Sequence, residues 1–368
     1  MPLPELFTPL ELAGVTLPNR IVVSPMCQYS AVDGDMTDWH LMHLGNLACS
    51  GAGLTMVEAT GITPEGRITH GCTGLYSDSN ERAMARVLKL YRSITKHPIG
   101  LQIGHAGRKA STHPPFRGGQ PLREGESPWQ TVAPSAIPFG EGWHVPHELS
   151  VAEIRQLVEA FVSSAQRARR LGFDALELHS AHGYLIHQFL SPLSNRRTDE
   201  YGRNRMKAPL EIAEAARAVW PRDRILGARI NASDWVEGGF TPADAVAYAG
   251  ELKRIGLDYV CVSSGASVPH AKIPASPGYQ VPFAEQVKKA VPGLAVRAVG
   301  LIVAPDQAQE IVASGKADMV ALARGFLDDP RWVWHAAERL GAPFECPPQY
   351  ARTRPEQWPG ARLARPRP

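Results

Sequence analysis

The residues best suited to chemistry lie in the segment 177–184. It closes a short apolar run with His179 and His182, three residues apart, and with the phenol of Tyr184 two residues further on. A strand that turns there could aim two ring N–H groups at one oxygen atom, with a phenolic proton donor nearby. Such a set would polarise a carbonyl group. The same spacing also fits a histidine pair satisfied in the core, or two ligands of a zinc site.

Length, charge and cysteine usage restrict the class of protein. The 368 residues suffice for one large domain or two ordinary ones. With 39 basic and 36 acidic residues the net charge is +3, so neither nucleic acid nor a membrane is the expected partner, and small molecules are. The five cysteines form no C-x-x-C pair, which favours a reduced, cytoplasmic setting without an iron–sulfur cluster. We find no signal peptide and no apolar run long enough to span a membrane.

Short apolar runs alternate with longer amphipathic stretches along the chain. The runs, interpreted as buried parallel strands, are residues 20–24, 54–58, 99–103, 175–178, 225–230, 259–262, 295–299 and 319–323. The stretches, interpreted as helices, are residues 39–50, 79–95, 151–171, 205–220, 241–255, 283–291, 305–314 and 330–340. This alternation predicts an α/β fold, a (β/α)8 TIM barrel.

Three segments depart from a minimal barrel. Residues 5–19 read as an N-terminal hairpin that closes the bottom of the barrel. Residues 108–149 follow the third strand and are too long for a simple loop, which predicts a capping excursion. Residues 1–346 therefore form one domain, and the Pro-rich, Arg-rich residues 347–368 form a C-terminal tail, disordered at its end unless a partner holds it.

The ends of the last two strands suit an anion. TIM barrels frequently bind phosphate in the loops after strands 7 and 8. Gly300 follows the seventh run, and Ala323, Arg324 and Gly325 follow the eighth, so the backbone can approach an anion to which Arg324 adds donors. The glycines could equally cap turns. No Gly-x-Gly-x-x-Gly motif follows a strand, so a Rossmann dinucleotide domain is not indicated.

Two polar residues interrupt otherwise apolar strands. Gln102 and Arg229 are costly to bury without hydrogen-bond partners. An amide and a guanidinium facing the pyrimidine edge of a flavin would have such partners. A salt bridge or an amide network inside the barrel would serve as well.

Five motifs together resemble the Old Yellow Enzyme family. They are residues 24–30 (SPMCQYS), 57–60 (VEAT), 102–110 (QIGHAGRKA), 179–185 (HSAHGYL) and 191–199 (SPLSNRRTD). A cysteine after the first strand is similar to the thermophilic-like branch of FMN-dependent ene-reductases, which includes xenobiotic reductases. The resemblance runs in order from residue 5 to about residue 352.

The resemblance implies noncovalent FMN, NADPH or NADH as reductant, and hydride delivery from flavin N5 to the β-carbon of an α,β-unsaturated carbonyl compound, with nitro compounds and quinones as further substrates. The isoalloxazine contacts it implies are Pro25, Met26, Cys27, Ala59, Gln102 and Arg229, and the phosphate contacts are Gly300, Ala323 and Arg324. It implies that His179 and His182 bind the substrate oxygen and that Tyr184 protonates the α-carbon. Tyr29 would line the substrate pocket, and Cys27 would tune the flavin potential and contact the substrate without acting as a nucleophile.

One residue of the tail also matches. Residues 349–352 (QYAR) are similar to the segment through which this branch inserts an arginine, here Arg352, into a neighbouring active site, and a homodimer or homotetramer is implied. The alternative is an arginine in a solvated tail. Two departures bear on the match. Arg203 follows Gly202 directly where the family has a longer Gly-Ser-rich loop, and Ala323 stands where relatives have glycine.

Three other functions are compatible with a barrel of this kind. They are a flavoenzyme of the dienoyl-CoA reductase type, a metal-dependent barrel hydrolase with His179 and His182 as ligands, and a binding protein without catalysis. The first needs clustered cysteines, which this sequence lacks. The others are distinguished from a flavoprotein by the colour of the purified protein.

Overall fold

The alternating pattern folds as a closed barrel of parallel strands, seen here in a computed structural model that describes residues 2–364. Neighbouring barrel strands follow the order β3, β4, β5, β8, β9, β10, β11, β12. The strands are β1 (Leu10–Leu12), β2 (Val15–Leu17), β3 (Ile21–Val23), β4 (Leu54–Gly61), β5 (Ile99–Gly104), β6 (Val132–Ala133), β7 (His147–Glu148), β8 (Ala175–Ser180), β9 (Ile225–Asn231), β10 (Tyr259–Ser263), β11 (Ala295–Ala298) and β12 (Met319–Leu322). The predicted TIM barrel is confirmed.

Helices cover the outside of this barrel. They are α1 (Asp38–Ala48), α2 (Asp78–Ile94), α3 (Val151–Leu171), α4 (Leu185–Leu190), α5 (Glu200–Arg203), α6 (Lys207–Val219), α7 (Pro242–Ile255), α8 (Val281–Ala290), α9 (Pro305–Ala313), α10 (Arg324–Asp328), α11 (Trp332–Leu340) and α12 (Ala361–Ala364). Short 3-10 helices are Glu5–Phe7, Gly107–Lys109, Pro115–Arg117 and Pro348–Thr353. Within residues 2–364 no helix is long and apolar enough to cross a membrane.

Local sequence explains where the longest helix begins and ends. Ser150 Oγ accepts a hydrogen bond from Glu153 N (3.2 Å), and Glu153 Oε2 accepts one from Ser150 N (2.7 Å), which is a capping box. At the other end Gly172 adopts a left-handed conformation (φ 82°), which glycine does at little cost. Helix α3 therefore spans the stretch that the sequence predicts.

The departures from a minimal barrel are present. Strands β1 and β2 form the predicted antiparallel hairpin. Residues 108–149 contain 3-10 turns and the short pair β6–β7 after the third barrel strand. Tyr350 of the tail packs on its own chain, 5.9 Å from Trp334 between ring centroids. Residues 365–368, for which disorder is predicted, lie outside the described residues.

A buried ion pair crosses the barrel interior. Glu177 of β8 and Arg297 of β11 are fully buried and bonded to each other. Tyr259 Oη also donates to Glu177 Oε2 (2.7 Å), and Gln102 Nε2 donates to Glu177 Oε1 (2.6 Å). These bonds satisfy the carboxylate, so charged groups can be accommodated in the core.

Candidate functional site

The two histidines and the tyrosine come together at the carboxyl end of β8. His179 lies within the strand, and a tight turn then brings His182 and Tyr184 back beside it. The ring centroids of His179 and His182 are 5.2 Å apart, and those of His179 and Tyr184 are 4.8 Å apart. The sequence spacing thus predicts this cluster correctly.

The turn depends on an unusual backbone. His182 has φ 60° and Gly183 has φ 70°, both in the left-handed region. A Cβ atom at residue 183 would lie 2.5 Å from the carbonyl oxygen of Ala266, so glycine is required there by space as well as by conformation. A histidine in this region is strained, which marks the turn as a place where function sets geometry.

Burial determines the charge state of the cluster. It lowers the pKa of His179 and of His182 well below the usual value, and the nearby Arg229 lowers both further. Burial also raises the pKa of Tyr184 well above that of a free phenol. All three side chains are therefore uncharged near neutral pH, and the rings are hydrogen-bond donors rather than cations.

Hydrogen bonds orient the two imidazoles. His179 Nδ1 accepts a bond from Ala181 N (3.3 Å), which places the ring proton on Nε2. His182 Nε2 lies 2.7 Å from Ser263 Oγ, and the backbone N–H of His182 donates to Asn231 Oδ1 (3.0 Å). A ligand that engages His182 Nε2 would therefore compete with Ser263.

Lys109 is a member of the site that our sequence analysis did not assign. Its Nζ donates to the carbonyl oxygens of His182 and Ala266, at 2.8 Å each, and lies 5.0 Å from the centre of the Tyr184 ring. Burial, with a smaller effect from Arg108, lowers the pKa of Lys109 to about 7. A lysine five residues after a barrel strand was the available signal, because the loops after the strands meet at the mouth of the barrel.

Two cavities adjoin the histidine pair. The larger cavity, about 260 Å³, is lined among others by Ser24, His182, Arg229, Gly300, Ala323 and Arg324. The smaller cavity, about 20 Å³, is lined among others by Ala59, Cys72, His105, His179 and Tyr184. His182 lines the larger cavity, and His179 and Tyr184 line the smaller one. The two histidines therefore lie where the cavities meet.

The larger cavity suits an anionic ligand. Gly300 has φ 109°, and a Cβ atom there would lie 2.6 Å from Gln280 Nε2. Ala323 has φ −107°, outside the left-handed region, so its methyl group is compatible with the backbone of this loop. Arg229 Nη1 donates to Ser24 Oγ (3.1 Å), while its buried Nε has no hydrogen-bond partner within residues 2–364. An unpaired buried guanidinium donor at a cavity wall indicates a missing acceptor.

The loop after β3 carries a second group of predicted residues. Pro25, Met26 and Cys27 are half-buried. The Cys27 thiol hydrogen-bonds that of Cys72, and this bond together with burial raises the pKa of Cys27. Tyr29 packs against Phe116, 6.1 Å between ring centroids, and burial raises its pKa. The pairing of Cys27 with Cys72 was not evident from sequence, because it depends on how two loops pack.

Gln102 and Arg352 do not line either cavity in this chain, and neither do Pro25, Met26, Cys27 and Tyr29. Gln102 is bonded to Glu177 inside the barrel, the amide network that the sequence left open as an alternative. Arg352 is exposed in the 3-10 helix Pro348–Thr353. Their predicted contacts with cofactor and substrate stay predictions. The shortened loop at Gly202 forms α5, where a Cβ atom at residue 202 would lie 1.8 Å from Arg197 O.

The histidine pair has few further metal-binding neighbours. Among residues 2–364 no group of three or more His, Cys, Asp or Glu side chains is arranged to hold a metal ion. Structural zinc sites use four protein ligands and catalytic ones usually three. The arrangement of the described residues does not favour the hydrolase alternative.

Comparison with known proteins identifies the family to which this chain is similar. The family model described as NADH:flavin oxidoreductase / NADH oxidase family matches residues 5–342. The NADPH dehydrogenase of Geobacillus thermodenitrificans (strain NG80-2) is 45% identical over 354 residues, 94% of this chain and 98% of that protein. The solved structure of morphinone reductase in complex with tetrahydroNAD has a TM-score of 0.73 and 31% identity, covering 94% of this chain and 93% of that one. The structure of TcOYE with pHBA has a TM-score of 0.76 and 26% identity, covering 96% of both chains.

Proposed function

The chain belongs to the NADH:flavin oxidoreductase / NADH oxidase family, and from this premise we propose that it reduces activated C=C bonds of α,β-unsaturated carbonyl compounds. It is an oxidoreductase that uses FMN and NAD(P)H. The observation that carries the proposal is the uncharged cluster of His179, His182 and Tyr184 at the junction of two cavities.

The residues around the larger cavity fit FMN. Within residues 2–364 the buried Nε of Arg229 has no hydrogen-bond partner, and Gly300 and Arg324 line the same cavity, where an anionic group would meet both. Of the residues that line this cavity, Gly300, Ala323 and Arg324 would hold the phosphate and Arg229 would contact the ring. The family resemblance adds Gln102, Pro25, Met26, Cys27 and Ala59, which lie outside this lining, as further ring contacts. Bound there, FMN would supply the hydride chemistry between NAD(P)H and the β-carbon of the substrate.

The side chains of the cluster divide the remaining work. His179 and His182 would donate hydrogen bonds to the carbonyl oxygen and stabilise the negative charge that develops there. Tyr184 keeps its proton because its pKa is raised by burial, and it would give that proton to the α-carbon. Tyr29 would line the pocket. Nitro compounds and quinones share the polarised acceptor and are included in the proposed range.

Isotope labelling tests the proposal. Reduction of 2-cyclohexenone by NADPH deuterated at both C4 positions of the nicotinamide should place one deuterium on the β-carbon of the product. Reduction in D₂O with unlabelled NADPH should instead label the α-carbon. NADPH oxidation without a saturated product would contradict C=C reduction and leave a different electron acceptor.

Cys27 is expected to tune the flavin rather than to form a covalent intermediate. Cys27→Ala removes a thiol that is hydrogen-bonded to the free thiol of Cys72. We expect a shifted flavin midpoint potential and an altered substrate affinity, with turnover retained. Spectroelectrochemistry and steady-state kinetics measure the two effects. Cys49→Ala, at the end of α1, is the matched control. Abolished turnover together with a thioether adduct found by mass spectrometry would mean covalent catalysis.

Arg352 is proposed to complete the site of a neighbouring subunit, in a homodimer or homotetramer. It is exposed on its own chain and lines neither cavity there, which leaves it available to another chain. Arg352→Ala should therefore weaken phenol binding and enone reduction while the barrel stays folded. Mixing Arg352→Ala subunits with Tyr184→Phe subunits should restore activity, because one site of each mixed pair then carries neither change. No recovery after verified subunit exchange would confine Arg352 to its own chain or to solvent.

A further inference from the structure

Behind the turn that carries His182 and Tyr184 lies a buried polar group that lines neither cavity. His187 of α4 and Asp234, in the loop after β9, are both fully buried. Burying an imidazole and a carboxylate in a barrel costs free energy unless hydrogen bonds or a charged partner compensate for the lost water. The chemistry described above makes no use of either side chain.

His187 is bonded directly to the turn. Its Nδ1 accepts a hydrogen bond from the backbone N–H of Gly183 (3.0 Å), so the ring proton lies on Nε2. That nitrogen is 3.4 Å from Asp234 Oδ1. Burial lowers the pKa of His187, in keeping with a neutral ring that accepts at Nδ1. The Gly183 bond thus sets the tautomer, and the Asp234 carboxylate lies near the ring proton without accepting a hydrogen bond from it.

A second set of hydrogen bonds connects Asp234 with the backbone of His182. Asn231 Nδ2 donates to Asp234 Oδ1 (3.3 Å), and Asn231 Oδ1 accepts the backbone N–H of His182 (3.0 Å). The N–H groups of His182 and Gly183 are therefore both held by side chains that contact Asp234. These are the two residues with left-handed backbones, at φ 60° and 70°.

Asp234 is itself held rigidly. Ser191 Oγ donates to its Oδ2 (2.6 Å), as does the backbone N–H of Phe240 (2.9 Å), and Ser267 Oγ donates to its Oδ1. Ser191, Phe240 and Ser267 lie on three different segments around the mouth. A carboxylate fixed from several sides can hold a strained turn in place.

We propose that His187 is a positioning residue, which through its bond to the Gly183 N–H, and together with Asn231 on the His182 N–H, holds His182 and Tyr184 in their catalytic geometry. The inference rests on the proposed function for the roles of His182 and Tyr184. Without the Gly183 bond the strained turn would relax, and the side chains of His182 and Tyr184 would no longer point at the same substrate. Small displacements of catalytic groups are costly, on the order of a hundredfold in rate for about 1 Å.

A matched pair of variants at residue 187 tests this. Asparagine and leucine are similar in size, but only the Oδ1 of asparagine can accept the Gly183 N–H from the position of Nδ1. For His187→Leu we expect the Kd of 4-hydroxybenzaldehyde, measured by its charge-transfer band with the flavin, to rise about tenfold, and cyclohexenone to reoxidise the reduced enzyme about tenfold more slowly. His187→Asn should stay within about threefold of the natural protein in both measurements.

Controls separate positioning from misfolding. FMN content and Tm should be similar in the two variants, and if His187→Leu does not fold, His187→Gln replaces it, because its amide lies at the Nε2 position and cannot reach Gly183. An equal phenol Kd and an equal reoxidation rate in His187→Asn and in His187→Leu would overturn the proposal. If the natural protein does not reduce the enone at all, the proposed function fails, while the phenol titration still decides whether the turn is positioned.

Discussion

Removal of either imidazole is expected to weaken the activation of the substrate carbonyl strongly. In His179→Ala or His182→Ala, enone reduction should slow by about 10²–10³, because one donor that stabilises the developing enolate typically contributes about 3 kcal/mol. Flavin should stay bound, since neither ring lies among the residues assigned to the phosphate. Stopped-flow reoxidation by cyclohexenone measures the rate, and phenol titration measures the pair directly because phenolates mimic the enolate.

The control for this prediction is a histidine at the other end of the barrel. His97 precedes β5, and its Nδ1 contacts the carbonyl oxygen of Ala52 (2.9 Å). His97→Ala should leave the phenol titration unchanged. Phenol binding equal to that of the natural protein in both His179→Ala and His182→Ala would exclude the pair from the substrate site.

Tyr184→Phe should separate the two halves of the reaction. Loss of a general acid typically slows a step by about 10²–10⁴. Only the second half needs a proton at the α-carbon, so reduction of the flavin by NADPH should change little while reoxidation by cyclohexenone slows by about that factor. Rapid mixing of each half separately measures the two rates.

A second buried tyrosine provides the comparison. Tyr248 Oη donates to Ser180 Oγ (3.3 Å) behind the end of β8 and lines neither cavity. Tyr248→Phe should affect both halves little. Equal slowing of both halves in Tyr184→Phe would make Tyr184 structural. Nitroalkenes are a poor test here, because solvent can protonate such activated substrates.

The fold could be predicted largely from sequence because the barrel strands are continuous apolar runs. Residues 99–103 and 175–178 lie within the observed strands Ile99–Gly104 and Ala175–Ser180. The short helices α4, α5 and α10 were not predicted, since pieces of four to six residues carry little periodicity. Nor was the register shift between Val57 and Ala59, which depends on pairing across the sheet.

In the site, too, contacts between residues close in sequence could be predicted, and contacts between distant segments could not. His179, His182 and Tyr184 are close in sequence, so one turn brings them together. The bond between Gln102 and Glu177 requires the register of β5 against β8, in which these residues face each other. The contacts of Cys27 with Cys72, and of Lys109 with the 182–184 turn, require loop packing that composition and spacing do not encode.

The account is tested most directly by the visible spectrum of the purified protein under anaerobic conditions. One equivalent of NADPH should bleach the flavin absorbance, and one equivalent of 2-cyclohexenone should then restore it with formation of one equivalent of cyclohexanone. A flavin that NADPH bleaches, but that stays bleached with the enone until air is admitted, would contradict C=C reduction at this site.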